Sequence, residues 1–190
     1  NICVSPATEW PVIAQERSEP ADVTTSYLVP LAAANAIAGF IGGTLLRAIL
    51  PFGGIFGGFV AGLVAACVSF VMTILGCLLI AFIINKLAPT FDGRPDFAQA
   101  FKTSVYSYTP GIVGGIARIV PVLGGFVAVV ASFYGLYLLY VGLPVTMQAP
   151  KEKAMAYTAL VVVASIVVMV VITMVMGVLG LAGLAGMGRL

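Results

Sequence analysis

The chain has 190 residues, of which 61% are apolar and 8% charged, with a net charge of +2 and a mean hydropathy of +1.14. A soluble domain is about 45–50% apolar and about 25% charged, so most of this surface needs a bilayer as its solvent. The small net charge and the lack of a basic stripe exclude a nucleic-acid partner. Histidine is absent, which excludes His-based acid–base chemistry, Ser-His triads and His-containing zinc sites.

The sequence does not begin with Met, and this implies that residues precede Asn1. Residues 1–27 are mixed and acid-rich, unlike a cleaved signal with its basic leading region. Ser5-Pro6 reads as an N-cap followed by proline at the first helical position. Trp10-Pro11 is expected to start a second short element, Pro11–Arg17, with the sole tryptophan in the headgroup layer. The expectation is an interfacial segment lying on one leaflet.

The remainder, 28–190, divides into five apolar spans at about 28–50, 55–85, 97–120, 122–143 and 154–178. The fold class is therefore all-α: a polytopic membrane protein of five transmembrane helices behind a short interfacial N-terminal segment. In the first span Gly39 and Gly43 stand in GxxxG register, and Arg47 lies near its end. The short turn Pro51–Gly54 returns the chain antiparallel. The second span is long enough to require tilt or projection beyond the hydrocarbon. Gly54, Gly58 and Gly62 repeat every fourth residue along its start, a small face expected to pack closely on the first span. Cys67 and Cys77 fall on different faces of this helix and cannot form a disulfide within it.

Turn formers fill Lys86–Pro95. Asp96 with Gln99 then forms a capping box that opens the third span. This is the polar one: Thr103, Ser104, Tyr106, Ser107, Tyr108 and Thr109 precede Pro110, and Gly111, Gly114 and Gly115 follow it. Pro110 supplies no N–H and clashes with the carbonyl of Tyr106, so an acceptor is freed at membrane depth. Tyr106, Ser107, Tyr108, Pro110 and Gly111, with Arg118 and Pro121 at the far end, form the candidate functional motif. The alternatives are a kinked half-helix lining a cavity, and a kink satisfied internally. The fourth span carries an aromatic face of Phe133, Tyr137 and Tyr140, with Phe126 on the same side and Tyr134 alongside. The last span is charge-free, and its glycine-rich tail toward Arg189 is expected to fray.

Five spans put Arg17, Lys86, Arg94, Lys102, Lys151 and Lys153 on one side and Arg47, Arg118 and Arg189 on the other. That bias predicts a cytoplasmic N-terminus and an outside C-terminus. No acid lies inside a span, so a carboxylate proton relay has no residues to use. No catalytic residue, metal site or cofactor is expected.

Tyr106-Ser107 before Pro110, then Ile119-Val120-Pro121, then the run Tyr137-Leu-Leu-Tyr-Val-Gly142, resemble the YIP domain family of five-span membrane proteins, in particular its short bacterial-type members. The resemblance implies a five-helix fold with a cytoplasmic N-terminus, and a place in the bacterial inner membrane. Eukaryotic members bind small Rab-type GTPases and carry Asp-Leu-Tyr-Gly-Pro before the first span. Here that region reads Ala21-Asp22-Val23-Thr24-Thr25-Ser26-Tyr27, so GTPase binding is not implied. The expected partners are membrane lipids and an unidentified membrane protein or a second copy of the chain. The expected role is non-enzymatic organisation of these partners; the alternative is a transporter or channel for ions, small molecules or lipids that uses the kinked third helix.

Overall fold

The computed structural model describes residues 2–16, 18–49 and 55–187, with backbone alone at 47–49, 55–58, 121–122, 172–173 and 175–187. The described chain is helical with short links. In order come α1 (Pro6–Gln15), α2 (Pro20–Val23) running through a π turn (Thr24–Leu28) into α3 (Val29–Ile49), then α4 (Ile55–Leu87), α5 (Phe97–Ile116), α6 (Pro121–Thr146) and α7 (Ala154–Met187).

Four stretches are long and apolar enough to cross a bilayer: Pro20–Leu46, Phe59–Phe91, Leu123–Thr146 and Lys151–Val171. The expected fifth, α5, is not among them. Its hydroxyls and Lys102 lower its hydropathy, and it is instead the most enclosed helix, with Ala100–Val105, Ser107, Thr109, Pro110, Ile112, Gly114 and Gly115 all buried. The four apolar helices present Val, Leu, Ile and Phe outward, from Val60 and Val64 on α4 to Val163 and Ile166 on α7. In a membrane this inversion is expected: lipid solvates apolar side chains as well as a protein core does, so the polar helix takes the interior.

α5 packs most extensively on α6, and next on α4 and α3. Glycine sets the closeness. A Cβ at Gly114 would come within 2.6 Å of the Ala131 Cβ, and one at Gly135 within 2.7 Å of the Ser107 carbonyl. A Cβ at Gly62 would come within 3.2 Å of the Phe40 ring, so its absence lets α4 lie close on α3. Gly39 and Gly43, in contrast, meet no described neighbour within 4 Å. The close approach on α3 comes from Gly42, where a Cβ would coincide with the Arg118 carbonyl. GxxxG register locates a smooth face but not which element covers it; here the covering element is the α5–α6 link, which reaches only Gly42. Gly54, Arg17, Arg189 and the turn at 51–54 lie outside the described residues, and of Gly58 and Arg47 only the backbone is described.

Other boundaries also differ from expectation. Pro11 does not start a new element but sits inside a continuous α1, which side chains of α5 and α6 hold in place. The Asp96 carboxylate accepts from the Gln99 N–H at 3.1 Å, whereas the Gln99 side chain reaches the Ala14 carbonyl at 2.9 Å instead of closing the box. α6 runs through Pro144 to Thr146, and α7 continues past Val178 to Met187.

At one end of the bundle the 88–94 and 147–153 links are clasped together. The Arg94 N–H donates to the Met147 carbonyl at 2.7 Å, Lys153 pairs with Asp92, and Phe91 stacks on Tyr157 with ring centroids 4.8 Å apart. The fully buried Tyr157 hydroxyl donates to the Ile84 carbonyl at 2.6 Å. Tyr157→Phe leaves that carbonyl short of a donor and should cost about 1–3 kcal/mol, read as a lower unfolding temperature in detergent. Asp92→Asn, at an exposed pair, should cost under about 1 kcal/mol in the same assay.

Candidate functional site

The polar face of α5 is where the sequence concentrates its chemistry, and each hydroxyl can be followed to its partner. Thr103 donates to Thr146 Oγ1 at 2.6 Å, tying α5 to the end of α6. Ser104 donates to the Cys77 carbonyl of α4 at 2.8 Å. Thr109 Oγ1 lies 3.0 Å from the Tyr27 hydroxyl, which anchors the π turn, and 3.1 Å from the Val105 carbonyl. These bonds run in three directions, to α6, α4 and the start of α3. A helix too polar to face lipid is thereby made the hub of the bundle.

The motif residues separate around this hub. Ser107 is buried, and its hydroxyl has no partner among the described residues. Tyr106 is half-buried, with its ring centroid 5.0 Å from that of Tyr27. Tyr108 points outward at 45% exposure. Pro110 is buried inside a helix that continues to Ile116. Gly111 lies 3.7 Å from Ser132 Oγ by its Cβ position. Arg118 is exposed at the far end, and Pro121 is the first residue of α6. The structure therefore brings Tyr106, Ser107 and Gly111 together with α6, keeps Pro110 buried within α5, and leaves Tyr108 and Arg118 outside that group. Phe133, Tyr137 and Tyr140 are 68%, 47% and 41% exposed and face away from the bundle. Only Tyr134 turns inward, donating to the Cys3 carbonyl at 3.1 Å.

Three features go beyond the sequence reading. Lys102, counted there only as a loop charge, is buried at 2% exposure. Its ammonium donates to the carbonyls of Ile13 and Glu16 at the C-terminal end of α1. With Gln99 on Ala14, α5 thus supplies two side-chain donors to the carbonyls that a helix end leaves unpaired. Trp10 is likewise fully buried inside the protein, and its ring occupies the space over Gly142 at 2.6 Å by Cβ position. Asn35 is buried on Gly115, with its Oδ1 unpartnered among the described residues. The only usable signal was Asn35 itself, a carboxamide inside the alanine-rich run Leu31–Ala38; Lys102 and Gly142 carry none without the α1 contact.

Among the described residues no group of three or more His, Cys, Asp or Glu could hold a metal. The arrangement is a helical membrane protein organised around one buried polar helix. The chain belongs to the Yip1 domain family, whose match covers residues 1–173. It is 26% identical over 167 residues to the "Inner membrane protein YohC" of Escherichia coli strain K12, an alignment that covers 86% of each chain. The protein of the same name from Escherichia coli strain O6:H1 gives the same figures. No solved structure matches the chain.

Proposed function

We propose that this protein is a non-enzymatic integral protein of the bacterial inner membrane that organises lipids or membrane-protein partners and does not conduct a solute. In this reading α5 crosses as a fifth span, with the N-terminal region entering from the cytoplasmic side and the C-terminus outside. The observation that carries it is the closure of α5: Thr103, Ser104 and Thr109 spend their hydroxyls on α6, α4 and the start of α3. A permeation path would need those groups turned toward a continuous polar space. The similarity to an inner membrane protein supports the location, and the six-to-three bias of basic residues supports the orientation.

The test has two arms. Purified protein in liposomes should give flux of ions and small solutes no greater than empty vesicles, and Tyr106→Phe and Ser107→Ala should leave that baseline unchanged. Flux that depends on either hydroxyl would replace this reading with the transporter. Pull-down in mild detergent, followed by mass spectrometry of lipids and proteins, should recover a reproducible lipid class or membrane protein.

A further inference from the structure

We infer that α1 is a half-membrane helix: it enters from the side of the 88–94 and 147–153 links and ends near mid-bilayer, so that its outer face meets the acyl chains of one leaflet and not the headgroups.

The register along α6 carries the argument. Glu16 and Ile13 are held by Lys102, near the start of α5. Trp10 lies on Gly142, about one turn inside the end of α6. The Cys3 carbonyl receives the hydroxyl of Tyr134, which stands at the middle of the 26-residue α6. α1 therefore runs alongside α6 for about 12 Å, from Gly142 to Tyr134, at 1.5 Å per residue. If α6 spans the bilayer, the residues before α1 lie close to its centre.

The chemistry of α1 fits that depth independently of the register. Irregular backbone survives in hydrocarbon only where its polar groups are already paired. Pro6 has no N–H, and the N–H groups of Thr8 and Glu9 both donate to the Ser5 carbonyl, at 3.3 and 3.1 Å. The Thr8 hydroxyl takes the same acceptor at 3.0 Å. The exposed residues from 4 to 12 carry no charge: Val4 at 82% and Val12 at 63%, with Ser5, Ala7, Thr8 and Pro11. Exposed Gln15 and Glu16 come only at the end that Lys102 holds. Exposed charge is thus confined to the point of entry. Glu9 is the one carboxylate within the helix; it is half-buried and partnered.

Nitroxide depth measurement in phospholipid vesicles tests this. In the Cys3→Ala, Cys67→Ala, Cys77→Ala background, single cysteines at Val4, Val12 and Gln15 are labelled, with Phe133→Cys on the outer face of α6 as the ruler. Oxygen-over-nickel-chelate accessibility should rise from Gln15 through Val12 to Val4, and Val4 should match Phe133. A flat profile at headgroup depth, with Phe133 deep, would overturn the inference in favour of a surface helix. A Phe133 value at headgroup depth would overturn it as well, by removing the span on which the register depends. Circular dichroism and gel filtration of each labelled variant confirm that the bundle being measured is folded.

Discussion

Gly42→Ala should lower the stability of this protein by about 1–3 kcal/mol, as overpacking in a filled interior does. Gly39→Ala and Gly43→Ala, one turn or less away on the same helix, should be neutral or raise it by about 0.5–1 kcal/mol, the usual gain on replacing a helical glycine. The difference lies in what each methyl would meet. At Gly42 it would overlap the Arg118 carbonyl, which is backbone in the link that turns α5 into α6 and cannot rotate aside. At Gly39 and Gly43 no described atom lies within 4 Å. Urea or thermal unfolding in detergent, with all three variants side by side, measures the contrast. Equal losses at the three sites would mean that α3 is not seated on that link.

The second large effect is expected at the dock of α1. Lys102→Met keeps much of the buried volume and removes every donor, which leaves the Ile13 and Glu16 carbonyls without their charged partner. The expected loss is about 1.5–3 kcal/mol, the range for hydrogen bonds to a charged group. Gly142→Leu reaches the same result from the other side, because its side chain would displace the indole of Trp10. Trp10 is the only tryptophan, so its emission reports undocking directly. Both variants should shift the emission to longer wavelength and expose the α1–α2 link to protease, while a Lys102→Arg variant keeps a donor and should recover part of the protection. Unchanged emission in both variants would show that neither contact holds the helix. A red shift confined to Gly142→Leu would assign the dock to packing alone.

How far these features could be read from residues alone depends on the range of the interaction. Long apolar runs identify themselves, and α4, α6 and α7 stand close to their expected positions because hydropathy is a local property. The links at Pro89, Asp92-Gly93 and Pro121 were legible for the same reason. α5 was legible as the polar helix with its break at Pro110, but not as the bundle's interior, since burial in a membrane inverts the usual relation between polarity and exposure. The dock of α1 was not legible at all. Its parts, Trp10, Lys102 and Gly142, are far apart in the chain, and each has an ordinary local explanation as an interfacial aromatic, a loop cation and a helix-end glycine. Glycine spacing likewise indicated where close approach was permitted, not that Gly42 would be the one in use.

The enclosed position of α5 also bears on how the chain comes to be made. A helix that carries a buried lysine and a row of hydroxyls gains little from entering hydrocarbon alone, because each polar side chain at the centre of a lone helix opposes insertion. Its stability comes from α4, already synthesised, and from α6, which follows after only a short link. If α5 crosses as a fifth span, α6 is the helix placed to accompany it into the bilayer, joined to it through the Thr103–Thr146 hydrogen bond. Thr146, the α6 partner of Thr103, is the last residue of that helix to emerge. The bond that ties the start of α5 to α6 thus joins it to the very end of that helix, so a chain cut short within α6 would lack the Thr146 partner.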